Sequence, residues 1–320
     1  MASSPIADLS YRDYTGPLSS PVGRWWVIAR VSFQQNLKKK SLWWLTVMSG
    51  GYYFVFQAVV FFMEQFALSS SRGEETLREF LSRIVWIDQF VHGISTGQLW
   101  FFMIVLLVGA GSISNDFRAN ALLVYLSKPC DKRDYLLGKW FGMFLTLILA
   151  MGLPSVFFYV YGALTYGDYG FFSDKWLLPK LLSFLVLSSA FHASMMIGIS
   201  SMFKQGRVAG AVYAALYFLT NFFTQMMVFT WVASQGHRGR GAADIVPLVK
   251  KLYYASVDGQ HIGLAKAVLG TDGTPYFGFP SPIQTVPAPP LWWSLAIITP
   301  LSLLMLWVAW TRIRAVEVVK

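Results

Sequence analysis

Six runs of this chain, at 41–63, 89–115, 140–167, 181–203, 208–237 and 273–311, contain no Asp, Glu, Lys or Arg and consist mostly of Leu, Phe, Val, Ala and Met. About 20 apolar residues suffice for a helix to cross the hydrocarbon core, so each run can hold one span. The predicted spans are 41–63, 97–115, 140–163, 181–203, 208–232 and 290–311. They predict an all-α polytopic membrane protein with six transmembrane helices over 41–311. A cytoplasmic N-terminal region (1–40) precedes that domain and a basic cytoplasmic tail (312–320) follows it.

The polar intervals carry patterns of their own. Between 22 and 37, Val22, Trp25, Trp26, Ala29, Phe33 and Leu37 fall within an arc of about 120° at helical periodicity, while Val27 and Val31 interrupt it. Arg24, Arg30 and the run Lys38, Lys39, Lys40 flank the stripe. This predicts an interfacial helix on the cytoplasmic membrane surface, held by Trp25, Trp26 and Phe33 and by attraction of Arg24 and Arg30 to anionic lipid. In 64–96, Leu77, Phe80, Leu81 and Ile84 predict a short amphipathic helix. The segment 233–289 predicts a helix near 244–256 and then irregular Gly- and Pro-rich loop. These two segments can cap an exit path or serve as plain connections.

Composition and charge orient the spans. Charged residues make up 13% of the chain and hydrophobic ones 55%, far from the roughly 25% charged of soluble domains. The first 23 residues lack an apolar core, so no cleavable signal peptide is expected and the first span directs insertion. The N-terminus, 116–139, 204–207 and the C-terminus together hold sixteen Lys and Arg against six acids, whereas the opposite side holds ten of each. The positive-inside rule therefore puts both termini in the cytoplasm. The same bias accounts for the net charge of +10, leaving no case for nucleic-acid binding. Tryptophans near the span ends, such as Trp43, Trp44, Trp140 and Trp310, suit the headgroup layer.

Small residues mark helix contacts: Ala190, Ser194 and Gly198 in the fourth span, Gly210 and Ala214 in the fifth. Their partner helix can belong to the same copy or to another. Asn221, Thr224 and Gln225 share a face of the fifth span, which can line a path or bond to a neighbouring helix. No run contains a formal charge, and His192 is the only ionisable group near mid-span. Ion-coupled carriers place such charges in the membrane, so a carrier working through His192 is the weakest alternative.

Resident catalysis finds no residues. Cys130 is the only cysteine, and the four histidines lack ligand spacing, so neither an intrachain disulfide nor a metal site is expected. Gly138 and Lys139 are followed by Trp140, which breaks the phosphate-loop pattern, and neither H-E-x-x-H nor G-x-S-x-G occurs. The chain is therefore expected not to be an enzyme and to hold no cofactor.

Between the second and third spans, residues 112–142 read SISNDFRANALLVYLSKPCDKRDYLLGKWFG. This loop resembles the membrane subunits of type-2 ATP-binding-cassette (ABC) transporters. Asp116 and Arg118 match a charged pair after the second span, and Leu122 and Leu123 match an apolar helix. Leu126, Ser127, Lys128 and Pro129 match a turn; Lys132, Arg133 and Asp134 match the basic stretch; Leu137, Gly138 and Lys139 match the lead into the third span. Ala119 and Asn120 replace a Gly-Thr pair common in that family.

The resemblance implies the permease subunit of an exporter in the bacterial cytoplasmic membrane, paired with a second permease copy or paralogue and two cytoplasmic ATPase subunits that bind ATP and Mg. A helix over about 115–126 would sit in a cleft of the ATPase. Independently, a short loop with a proline-set turn between two spans transmits force, so pulling on it moves both. The alternative function is a membrane anchor that passes ATPase-driven motion to an envelope machine without transport.

Overall fold

The computed structural model describes residues 23–68, 73–121, 130–236, 253–254, 256–273 and 286–313. Among these residues the ordered elements are helices, with no strand. In chain order they are α1 (Arg24–Leu37), α2 (Lys40–Ser49), α3 (Gly51–Leu68), α4 (Gly73–Ser82), α5 (Trp86–Gly109) and α6 (Ser114–Arg118). Then come α7 (Lys132–Thr165), α8 (Leu177–Met202), α9 (Gly206–Gly236), α10 (Val257–Leu269) and α11 (Leu291–Arg312).

Among the described residues, four helical stretches are apolar and long enough to cross a membrane: Trp86–Arg118, Lys132–Thr165, Leu177–Met202 and Leu291–Arg312. The first predicted span is two helices, α2 and α3, bent by 51°, which together would make a fifth crossing. The bend sits at Gly50, where the chain passes so close to α7 that a Cβ would lie 2.5 Å from Pro154 Cβ. A side chain larger than hydrogen has no room there. The fifth predicted span forms α9, 31 residues long, which is not one of these stretches.

Several boundaries differ from the sequence reading. The expected amphipathic helix exists as α4, with Leu81 buried, but residues from Trp86 onward belong to α5 rather than to an outer loop. Helix α7 starts at Lys132, so Leu137, Gly138 and Lys139 are helical rather than part of the loop. Its start is set by a capping box: Asp131 receives the backbone N–H of the third helical residue, and Asp134 accepts from Asp131 N–H. At 34 residues and 1.5 Å per residue, α7 is about 50 Å long and outruns a bilayer core of about 30 Å.

Helix α1 is present, but it lies along α7 with its inward face against the protein. A Cβ on Gly138 would meet Trp25 O at 2.7 Å, and one on Gly142 would meet Ala29 O at 2.8 Å. The inward face is Trp25, Ile28, Ala29, Ser32 and Asn36, whereas Trp26, Val27 and Val31 are exposed. The apolar stripe anticipated from periodicity is therefore divided, with Ala29 against α7 and Trp26 outward. Arg30 is exposed; Arg24 and Phe33 are half-buried.

The segment after α9 holds a helix just ahead of its Gly- and Pro-rich stretch. Ser256 caps α10 by accepting from Gly259 N–H, and Gly270 closes it at φ 78°. Most of α10 is buried, packed among α5, α8, α9 and α11. The helix expected near 244–256 lies outside the described residues except for Tyr253, Tyr254 and Ser256.

Candidate functional site

The expected coupling loop begins at the end of α5. After Gly109 four residues, 110–113, form a turn that leads into α6, and the turn is held from α8: Ser200 Oγ accepts from Ile113 N–H and Ser114 N–H, both at 3.1 Å, and donates to Ala110 O at 3.1 Å. One hydroxyl thus satisfies backbone groups that a broken helix leaves open. Nothing local marks Ser200 for this role, because its partners lie 86 to 90 positions away.

Asp116 and Arg118, anticipated as a functional pair, point to different work. Asp116 Oδ2 accepts from the Tyr135 hydroxyl at 2.6 Å and pairs with Lys139 Nζ at 2.7 Å. Both partners stand on the first turns of α7, one helical turn apart, and both ion-pair side chains are largely shielded. The carboxylate therefore fastens α6 to α7. Arg118 is exposed at the far end of α6.

Helix α6 stops at Arg118, and Asn120 takes the left-handed backbone conformation (φ 53°). The single helix expected over 115–126 is thus corrected: it breaks at Ala119–Asn120, where a non-glycine residue adopts a conformation that ends helices. Asparagine tolerates that conformation because its short side chain bonds locally. Leu122, Leu123, Leu126, Ser127, Lys128 and Pro129 lie outside the described residues.

On the far side of the gap, Lys132 Nζ sits 4.5 Å from the centre of the Trp310 ring, linking the start of α7 to the end of α11. Arg133 belongs to the first turn of α7. Gly138 is the contact point with α1, and the next small residue on that face, Gly142, continues it. The sequence reading assigned Gly138 to the loop motif and missed Gly142, although glycines four apart are a close-packing signal.

The small residues of α8 meet helices of the same chain. A Cβ on Gly198 would meet Met305 of α11 at 2.7 Å, and Ser194 Oγ accepts from Trp140 Nε1 at 2.9 Å. Gly210 of α9 packs near Ala110.

At the opposite end of the bundle α10 brings ionisable groups inside, which the charge-free runs alone did not foretell. Tyr217 hydroxyl donates to Asp258 Oδ1 at 3.1 Å, and Asn221 also bonds this carboxylate. Burial raises the Asp258 pKa, and these hydrogen bonds oppose the shift. Thr224 bonds the Ser256 hydroxyl, whereas Gln225 is exposed, so the polar face of the fifth span divides between α10 and the outside. His261 Nδ1 lies 2.9 Å from Ser188 Oγ, and His192 Nδ1 lies 2.7 Å from the Tyr213 hydroxyl. Lys266 Nζ donates to Val286 O at 2.7 Å.

These features define the class: a multi-pass α-helical membrane protein. The particular family follows from comparison with known families, in which the model described as ABC-2 family transporter protein matches residues 26–255. The chain belongs to that family, and it is a permease subunit. The matched stretch begins in α1, contains the fastened α5–α6–α7 corner and ends just before α10. Comparison with curated proteins found no match.

Proposed function

We propose that this permease is half of the membrane unit of an ABC exporter, driven by a separate cytoplasmic ATPase that binds ATP and Mg. The observation that carries the proposal is mechanical. Asp116 fastens α6 to the first turns of α7, and Gly138 and Gly142 seat α1 on the same stretch. A partner that grips α6 at Arg118 therefore pulls on α5, α7 and α1 together. Six spans, with α9 as the fifth, and both termini in the cytoplasm complete the reading.

By the family resemblance, the path runs between two copies rather than through one. Two permeases, alike or paralogous, thus frame the route above two ATPase subunits in a bacterial cytoplasmic membrane. The apolar spans favour amphipathic or lipid-like cargo.

Copurification tests the coupling assignment. Arg118→Glu is expected to abolish retention of the ATPase while leaving the melting temperature of the permease unchanged; undiminished retention overturns it. The fastened corner of α6 and α7 also suits an anchor that transmits motion without transport. ATP-dependent flux in reconstituted vesicles decides for the exporter, and its absence with intact ATP hydrolysis decides for the anchor.

A further inference from the structure

Beside the α6 corner, where α1, α2, α5, α6 and α7 converge, lies a cavity of about 300 Å³. Lys39, Lys139, Gln35, Asn36, Ser112 and Asn115 line it. Its one carboxylate, Asp116, already accepts from Tyr135 and pairs with Lys139, so it is neutralised within the protein. What remains is a pocket of donors with one cation to spare.

That cation is Lys39. Its Nζ donates to Leu107 O and Asn36 Oδ1, both at 3.0 Å, and both acceptors are neutral. No ion pair of Lys39 with a carboxylate occurs among the described residues. An ammonium carries three donors, so one is left beyond these two bonds. The side chain is half-buried, and burial lowers its pKa, as expected of a cation without a counter-charge. The two fixed acceptors hold the amine at the pocket wall rather than in solvent.

The next residue faces different surroundings. Lys40 lines an apolar groove of about 340 Å³ with Trp43, Trp44 and Val47. Trp44 is 72% exposed, and Trp43 is steadied by its Nε1–H bond to Leu37 O at 2.9 Å. Polar pocket and apolar groove thus arise within one turn of the same helix start, a pairing that matches an anionic head with apolar tails.

We propose that the Lys39 pocket binds the phosphate headgroup of an anionic phospholipid, whose acyl chains lie along Trp43, Trp44 and Val47. The proposal rests on the membrane reading above for the source of the ligand, and its chemistry is that of a phosphate group. Occupancy would bridge α1, α2 and the α6 corner, tying the coupling end to the lipid around it.

The test uses the full chain purified in detergent without any ATPase, so that failure of the coupling assignment does not bear on it. Dioleoylphosphatidylglycerol, added as mixed micelles, is expected to raise the melting temperature and to be retained in native mass spectra. Dioleoylphosphatidylcholine bears the same phosphodiester but also a quaternary ammonium, which the unpaired Lys39 charge repels, and is expected to do neither. Lys39→Gln should weaken phosphatidylglycerol binding by about tenfold, the loss expected for one charge-assisted hydrogen bond. Gln35→Glu, at an exposed position, adds a carboxylate to the pocket and should weaken it equally should Lys39→Gln fold poorly. Equal binding of the two lipids, unchanged binding in both variants, or a full shift produced by inorganic phosphate alone overturns the lipid assignment.

Discussion

Asp116 and Lys139 approach to 2.7 Å across the junction of α6 and α7, and the Tyr135 hydroxyl bonds the same carboxylate oxygen at 2.6 Å. The family resemblance presents Asp116 and Arg118 as a charged pair of the coupling loop, and the carboxylate is committed within the chain. Asp116→Asn keeps the shape and removes the charge, leaving Lys139 shielded without its counter-ion. The expected loss is about 1–3 kcal/mol. A double-mutant cycle with Lys139→Met, read by thermal unfolding in detergent, is expected to be non-additive; strict additivity would show that the two residues act separately.

The crossing of α1 over α7 depends on two hydrogen atoms in place of side chains. A Cβ at Gly142 would lie 2.8 Å from Ala29 O, and one at Gly138 2.7 Å from Trp25 O. Backbone oxygens cannot rotate away as side chains do, so Gly142→Leu must push the helices apart, at a cost of about 1–3 kcal/mol. Faster tryptic cleavage at Arg30 is the expected sign of release, measured against the native chain under identical detergent conditions.

Gly50 and Pro154 set the bend between α2 and α3 by contact. Gly50→Ala places a methyl group where only 2.5 Å separates it from Pro154 Cβ, and destabilisation follows. Pro154→Ala removes the ring and returns a backbone N–H to α7. Combining the two should recover part of the loss, with a coupling of about 0.5–3 kcal/mol by thermal unfolding.

Lys266 predicts a pH dependence with a definite sign. Burial pushes its amine down from 10.5 to about 8, with Asp272 and Asp88 opposing the shift. Between those two pH values the unfolded chain binds a proton that the folded chain has released. Stability contributed by this residue therefore rises with pH from about 8 to 10.5 and is flat below that window. Melting temperatures at pH 7.5 and 9.5 should reveal the rise, and Lys266→Met should remove it.

How far the fold was legible varies by element. The apolar runs located α5, α7, α8, α9 and α11 because a helix that faces lipid must be apolar along its length, whatever it packs against. Their ends were less visible. Lys132 to Lys139 carries charges and reads as loop, but the Asp131–Asp134 capping box extends α7 through it. Helix α10 was hidden between the helix expected near 244–256 and the Gly- and Pro-rich stretch from Gly270, although Ser256 before it and Gly270 after it are the cap signals such a helix needs.

The candidate coupling site was legible by kind rather than by role. The motif drew attention to Asp116, Arg118, Gly138 and Lys139, but not to Tyr135 or Ser200, whose contacts with Asp116 and the α5–α6 turn depend on which helices become neighbours. The stripe on α1 shows the same limit. Periodicity finds an apolar face without saying whether protein or lipid covers it, and here Ala29 turned to α7 while Trp26 turned outward.

By itself the sequence determined that this chain is a helical membrane protein with a charged segment between its second and third apolar runs, since hydropathy and charge are sums over neighbouring positions. Tertiary structure alone decided that Asp116 faces Lys139, that Ser200 holds a turn far from it in the chain, and that the ionisable groups of α10 enter the bundle. The reason is physical: a side chain's partner is chosen by the crossing of two helices, and that crossing depends on the shapes of all the surfaces packed together, which no local window contains.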